Sequence, residues 1–395
     1  MIPRGFKFSG ISCGIKDKGR KDLALIYATH PCVACGMFTQ NKFKAYPVLI
    51  DIARLKKGEA QVILANSGCA NALTGKKGEE DALEISRELS VLLDVKESHL
   101  LLASTGVIGE RLPVEKINKN LPLLIEQLEE GGIADAAEAI MTTDTFPKIY
   151  FIETKIKERG KKSIRVGGIA KGAGMISPQL ATMLCFLFTD ACIEREALKE
   201  SLRIAVEHSF NRILVDGDMS TNDTVVALAS GLARNPRIKM GSDNFSLFTE
   251  SLSEVARELA KMIAKDGEGA TKLIEIRVNG AWDEKDAHRA ARSIARSPLV
   301  KTAIYGEDPN WGRILCALGQ VKVKFNPHRV TLKIQGIKVF ENLAPVINDR
   351  QELINKLQEK KILLEVDLRH GDHRTVFWTC DLTEEYVKIN AHYHT

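Results

Sequence analysis

Hydrophobic and polar positions along this chain follow two periods, and the change from one to the other marks its elements. QVILANSG (61–68) and HLLLASTGVIG (99–109) are short apolar runs that end in polar, glycine-containing turns, and both predict strands. Between them, GEEDALEISRELSVLLDV (78–95) has helical spacing. KIYFIETKI (148–156) and KSIRVGGIA (162–170) predict a hairpin that turns around residues 158–161. EREALKESLRIAVEHSF (194–210) sets Leu198, Leu202, Ala205 and Ser209 on one helix face. Phe248, Leu252, Val255, Leu259 and Met262 do the same for a second helix, expected to stop at Asp266-Gly267, where glycine supplies the break. The C-terminal third is strand-rich: RVTLKIQGIKVFE (329–341), ILLEVDL (362–368) and TVFWTCDL (375–382), the last two around the turn-like RHGDHR (369–374). The class is mixed α/β or α+β with at least one large sheet. No Pro-, Gly- or Ser-rich linker divides the chain, and no fixed-period repeat is present.

Composition narrows the function classes. At 395 residues, with 44% hydrophobic and 27% charged positions, the chain has ample core for two or three domains or one lobed domain. A net charge of +5 without any Lys/Arg block gives nucleic acid or membrane binding no electrostatic support. No apolar run approaches the roughly 18 residues that a membrane-spanning helix needs. The first residues, MIPRGFKFSGISCGIKDKGRKDLALIY, lack the apolar centre of a signal peptide, so a cytoplasmic location is expected. Eight scattered cysteines then read as reduced, buried thiols.

The candidate ligand motifs are weak. Cys32-x-x-Cys35 has no second ligand pair at zinc spacing. His370, His373, His392 and His394 cluster near the C-terminus without a metal pattern and read as solvated surface. DGDMSTND (216–223) lacks EF-hand spacing and reads as a turn with self-bonding Asx side chains. GGIAKGAG (167–174) resembles a phosphate loop only in glycine content: Lys171 precedes Gly172 and no hydroxyl follows. A nucleotide-binding protein is therefore a poor alternative, and no metal is called for.

One stretch remains, KGAGMISPQLATMLCFLFTDA (171–191), in which small, flexible residues give way at Ala181-Thr182 to an apolar run that reads as a buried strand or the start of a buried helix. Taken alone, Thr182 is a strand residue. A threonine hydroxyl becomes a useful nucleophile only with a base beside it. Cutting the chain before Thr182 would free an α-amine, with an ordinary pKa of about 7.7–8.0, on the same residue as the hydroxyl. Upstream glycines would let the backbone take the strained shape that self-cleavage needs.

That stretch closely resembles the cleavage segment of the glutamate/ornithine N-acetyltransferases of arginine biosynthesis. GFKFSGISCGIKDKGRKDLALI (5–26), NSGCANALTG (66–75), ASTGVIG (103–109), AIMTTDTFPK (139–148), NRILVDGDMSTNDT (211–224), DGEGATK (266–272), GEDPNWGRI (306–314) and the tail INAHYHT (389–395) resemble family blocks in the same order along the whole chain. Cys69 stands where the family block often has Asn.

The resemblance implies a layered α/β fold of sheets sandwiched by helices, of the N-terminal-nucleophile kind. It implies self-cleavage of the Ala181–Thr182 bond into an α chain (1–181) and a β chain (182–395), assembled as α2β2. Thr182 matches the nucleophile, and Thr105 with Gly106 the oxyanion hole. Thr142, Lys171, Thr182, Glu268, Asn390 and Thr395 match substrate-binding positions; in TTDT, Thr143 and Thr145 are rivals to Thr142. The implied reaction moves acetyl from N2-acetylornithine to glutamate through acetyl-Thr182, releasing ornithine and N-acetylglutamate. No cofactor is implied, although acetyl-CoA is a possible second donor. An amidohydrolase or aminopeptidase with water as acceptor shares the nucleophile and is the alternative. A non-enzymatic ligand-binding protein would leave the chain uncut.

Overall fold

The computed structural model describes residues 2–17, 19–157, 163–178, 183–346 and 349–392. Ala181, Thr182, Thr395, His394 and the turn at 158–161 lie outside the described residues. Two compact units divide the chain, one of Met1–Asn211 with Asp218–Ile263, the other of Arg212–Gly217 with Ala264–Tyr393.

In the first unit the strands are β1 (Phe6–Ile11), β2 (Leu23–Phe38), β3 (Glu59–Cys69), β4 (Leu100–Val107), β5 (Lys148–Lys155), β6 (Ser163–Lys171) and β7 (Leu184–Thr189); β8 (Ile213–Leu214) belongs to the second unit, and β9 (Thr224–Ala229) returns to the first. Among the described residues they form one eight-stranded sheet, β4-β3-β2-β9-β7-β6-β5, with β1 alongside β2. Sixteen-residue β2 serves two sets of neighbours. Its first residues pair with β1 and β3, and its last with β9, after a register break between Tyr27 and Cys32.

Alternation along these strands fills two cores. Ala24, Ile26, Ile63, Ala65, Leu101 and Ala103 face the helix Ile133–Ala139. Their neighbours Leu23, Leu25, Val62, Leu64, Leu100 and Leu102 face the helices Gly75–Leu92 and Val114–Glu126. A strand covered on both faces must be apolar at every position, because side chains alternate between the faces. That is why QVIL and HLLLA read as unbroken runs. The run after Thr182 is a strand for the same reason: Leu184, Phe186 and Phe188 enter the first core, with the Phe188 ring 5.3 Å from Phe6 and 5.2 Å from Phe8.

The hairpin is β5 with β6, paired from Lys148↔Ala170 to Lys155↔Ser163. The helix expected at 78–95 spans Gly75–Leu92, and Asp94, in the left-handed region at φ 52°, turns the chain out of it. In the long helix Asp243–Lys265 the stripe Phe248, Leu252, Val255, Leu259 is buried as expected, but Ile263 and not Met262 continues it. A 3.6-residue period drifts away from a strict 4-3-4-3 pattern.

The second unit carries the sheet β13-β12-β11-β14-β10-β15-β8, in which β10 is Leu273–Ala281, β11 Thr331–Ile334, β12 Ile337–Glu341, β13 Ala344–Pro345, β14 Lys361–Asp367 and β15 His373–Cys380. Gln335 and Gly336, both at positive φ, make the tight turn of the β11–β12 hairpin. Residues 369–374 are no such turn: β10 lies between β14 and β15, parallel to one and antiparallel to the other. The connection rests instead on Gly280 at the end of β10, whose carbonyl accepts from the His370 and Gly371 amides. Ile274, Ile276 and Val278 pack against Ala287, Ala290, Ala291 and Ile294 of the helix Glu284–Arg296, which Asp283 caps through the Asp286 amide. Gly267 differs from the expectation. It holds no left-handed stop; a Cβ there would lie 2.5 Å from Cys380 Sγ, so it is small for close approach.

Candidate active site

β3 and β4 run parallel and end side by side, with Gly68 opposite Gly106. Gly106 has φ +134°, and a Cβ there would lie 2.2 Å from the Gly68 carbonyl carbon and 2.5 Å from the Cys69 amide nitrogen. Only glycine lets the two ends approach so closely. Side-chain amides lock this corner: Ser104 Oγ donates to Asn66 Oδ1 (2.6 Å), and Asn66 Nδ2 donates to the Cys69 carbonyl (2.9 Å). Asn222 Nδ2 donates to the carbonyls of Ala70 (2.6 Å) and Ser104 (2.8 Å). Three blocks far apart in sequence, NSGC, ASTG and STND, thus meet at one place.

Lys171 ends β6 and is 2% exposed. Its Nζ donates to Thr142 Oγ1 at 2.8 Å and to Thr105 Oγ1 at 3.1 Å. A hydroxyl that accepts from an ammonium keeps its own hydrogen for another acceptor. Among the described residues, the member of TTDT that bonds Lys171 Nζ is Thr142, so Thr142 and Thr105 share one ammonium. Four of the expected residues, Thr105, Gly106, Thr142 and Lys171, therefore come together.

Asp144, which the sequence reading passed over, fixes the residues around this cluster. Its Oδ1 accepts from Lys148 Nζ (2.6 Å) and the Gly172 amide (2.7 Å), and its Oδ2 from the Thr142 amide (3.0 Å). Asp144 and Lys148 are both fully buried side chains. Burial alone would raise the Asp144 carboxyl, but Lys148, then Lys171 and the Gly172 N–H, outweigh it and hold it at about 2. Its contribution to stability is complete above an unfolded aspartate's ordinary value of about 3.9 and is lost as pH falls through about 2. Asp144→Asn removes one partner of a buried pair and is expected to cost about 3–5 kcal/mol. Urea unfolding at pH 7 measures this; a loss below about 1 kcal/mol would contradict the pairing.

Lys16 is a second residue the sequence did not flag. Asp22 accepts from the amides of Cys13 (2.6 Å), Ile15 (2.6 Å) and Lys16 (2.9 Å) and so shapes the loop after β1. The loop lies against Gly68, where a Cβ would meet Lys16 Cγ at 3.0 Å. Lys16 Nζ reaches the Met141 carbonyl at 2.9 Å, next to Thr142. Burial first, then the Arg20 charge, lowers this ammonium to about 8.

Asp223 is a third. The 216–223 segment, read as a self-bonding turn, buries the Asp223 side chain and offers Oδ1 to the Met183 amide at 3.1 Å. Burial pushes its carboxyl well above the usual range.

Of the remaining expected residues, Glu268 and Asn390 lie in the second unit and meet each other: Asn390 Nδ2 donates to Glu268 Oε2 at 2.8 Å. Cys32 and Cys35 are buried in β2, and burial pushes both thiols up to about 12. Among the described residues no helix is long and apolar enough to cross a membrane.

The family model described as "ArgJ family" matches residues 7–395. An arginine biosynthesis bifunctional protein ArgJ from Symbiobacterium thermophilum is 46% identical over 395 residues, covering 100% of this chain and 98% of its own length. The protein of that name from Listeria monocytogenes serotype 4b is 44% identical over 394 residues, with the same coverage of both chains. A crystal structure of ArgJ from Bacillus halodurans is 42% identical with a TM-score of 0.51, over 53% of this chain and 98% of that one. Matched from end to end at this identity, the chain belongs to the ArgJ family.

Proposed function

We propose that the chain moves acetyl from N2-acetylornithine to glutamate by double displacement at Thr182, after cutting itself between Ala181 and Thr182. The observation that carries this reading is the cluster at the β4 end, where the Thr105 hydroxyl, held by Lys171, stands beside Gly106. A hydroxyl and a backbone N–H aimed at one point suit a developing oxyanion. The Thr182 hydroxyl attacks the acetyl carbonyl and its proton passes to the α-amine of the same residue. Collapse breaks the carbon–nitrogen bond, the α-ammonium gives that proton to the leaving nitrogen of ornithine, and an acetyl ester remains on Thr182. The amine of glutamate then attacks the ester and loses a proton to the α-amine, which passes it to Thr182 Oγ as the ester bond breaks and N-acetylglutamate departs. Thr142, Lys171, Glu268, Asn390 and Thr395 are assigned to substrate by the family resemblance.

β6 and β7 flank the cut and pair from Val166↔Thr189 to Lys171↔Leu184, which supports fragments that stay together. Their assembly as α2β2 is proposed from the family resemblance alone. The Bacillus halodurans chain, covered almost whole by about half of this one, fits a protein divided near its middle. The reaction needs no resident cofactor. Acetyl-CoA is proposed as a second donor, supported by the word bifunctional in the relatives' names. A cytoplasmic location suits these substrates.

Freshly purified protein is expected to give two masses, those of 1–181 and 182–395. After N-acetylornithine alone, the fragment beginning at Thr182 should be heavier by one acetyl group, and glutamate should discharge it as N-acetylglutamate. Fully active, full-length protein would overturn the cleavage. Free acetate in place of N-acetylglutamate would turn the reading toward a hydrolase.

A further inference from the structure

The helix Glu284–Arg296 buries its alanines and Ile294 against β10 and gathers positive charge on its opposite side. Arg289, Arg292 and Arg296 follow one another at three- and four-residue steps and so share one face. In sequence they form no basic block, because two and three other residues separate them. On the helix they line one groove of about 920 Å³, with Lys322 as a fourth cation. Arg313 brings a further charge to its edge, since its Nη1 donates to the carbonyl of Leu299, a lining residue, at 2.9 Å. Among the described residues no carboxylate lines the groove. All of these residues belong to the second unit.

Two of the arginines have an internal account. Asp286 stands 3.6 Å from Arg289. Arg296 is in the last turn of its helix, where the helix dipole favours a cation. Arg292 has neither. It is only partly exposed, and among the described residues it makes no hydrogen bond and no ion pair. Its neighbours one turn away on either side are both arginines, which repel it. Its fork of N–H donors is thus left for an anion from outside the chain.

Size and lining select the anion. Small-molecule sites occupy about 300–1,000 Å³, and this groove falls within that range. Arg289 and Arg296 are seven residues apart, about 10.5 Å along the helix at a rise of about 1.5 Å per residue. One carboxylate cannot meet a row of that length, whereas linked phosphates can, and guanidinium forks match phosphate oxygens two by two. Pro298, Val321 and Leu299, the last 60% exposed, add an apolar wall for an organic group. We propose that this groove binds the diphosphate of a nucleotide, with the phosphates on the arginines and the organic part along that wall. Acetyl-CoA, the second donor proposed above, carries an adenosine diphosphate unit, and free ADP presents the same chemistry. The site stands apart from the Thr182 reading, because binding is measured without turnover.

Calorimetric titration of the purified protein with ADP, CoA and inorganic pyrophosphate tests this. ADP should bind saturably, and more tightly than pyrophosphate, because only the nucleotide uses the apolar wall. Arg292→Gln removes the charge and keeps most of the stem. It should weaken ADP at least about tenfold, the usual loss for a charge-assisted hydrogen bond, and leave transfer from N-acetylornithine to glutamate unchanged. Arg296→Gln should act likewise. Both variants should melt no lower than wild type without ligand, because each relieves a like-charge pair, so a folding defect is told apart from a binding one. CoA weakened together with ADP assigns the groove to the nucleotide end of the second donor; ADP weakened alone assigns it to a free nucleotide. Wild-type protein without saturable ADP binding overturns the proposal, and so does ADP binding that neither substitution weakens. Wild-type protein that binds ADP but transfers no acetyl group would count against the proposed function alone.

Discussion

Thr182→Ala is expected to yield a folded, full-length chain with no measurable acetyl transfer. Folding should survive because the strands before and after this residue in the chain pair through their own residues. β6 and β7 pair along six residues each, and Leu184, Phe186 and Phe188 are buried in the first core. Loss of a hydroxyl and a methyl costs on the order of 1–3 kcal/mol, which a chain with three large buried cores tolerates. Chemistry should not survive, because the same oxygen is needed twice: to attack the Ala181 carbonyl in cleavage and the acetyl carbonyl in transfer. Removing the nucleophile of a comparable hydroxyl enzyme costs about 10⁶ in kcat. A denaturing gel, a thermal melt and a transfer assay on one preparation check all three parts. A variant that is cut normally, or that keeps more than a trace of activity, would exclude Thr182.

The elements were legible where burial is two-sided or strictly periodic. β3 and β4 could be read from unbroken apolar runs because each is covered on both faces. β7 is buried on both faces as well, but its short run fits a buried helix equally well in sequence. Helix faces were legible for three turns, until the drift that substitutes Ile263 for Met262. Less legible were features made by distant partners. The β14–β15 connection looks like a hairpin in sequence, yet β10, placed between them by sheet order, precedes both by about eighty residues or more.

The same distinction separates the residues of the site. Thr105, Gly106, Thr142 and Lys171 lie in blocks that the family resemblance singles out, and they assemble. Lys16 meets Met141 across 125 positions and Asp223 meets Met183 across 40, distances at which no local spacing carries a signal. Asp144 had a local clue, Lys148 four residues on, but in sequence such a pair is indistinguishable from an exposed one. Glu268 and Lys171, which the family resemblance assigns to substrate, carry opposite charges. Each proves to be occupied, Glu268 by Asn390 and Lys171 by two threonine hydroxyls, so substrate charges would have to compete with these contacts.

Thr105→Ala should leave the chain folded and lower kcat by about 10²–10³, the usual effect of deleting one oxyanion donor. The argument rests on what Lys171 does to the hydroxyl. Because Thr105 Oγ1 accepts from Lys171 Nζ, its hydrogen is directed away from the lysine, toward whatever lies beyond the β4 end. Alanine removes that hydrogen but leaves Lys171 its bond to Thr142, so the cation stays in place and the loss is confined to the oxyanion. Thr105→Ser restores the donor without the methyl and should recover most of the rate, though serine is less stiff at χ1 and its hydroxyl less firmly aimed. Gly106→Ala acts differently, because a Cβ 2.2 Å from the Gly68 carbonyl carbon forces β3 and β4 apart. It should lower stability as well as kcat, and Asn66 and Asn222 would lose their grip on the corner along with it. The two defects separate by measurement. Thr105→Ala should keep its melting temperature within a few degrees while kcat falls and KM holds, whereas Gly106→Ala should lose both. An unchanged kcat in Thr105→Ala would remove this hydroxyl from the oxyanion hole and leave its bond to Lys171 as its whole role.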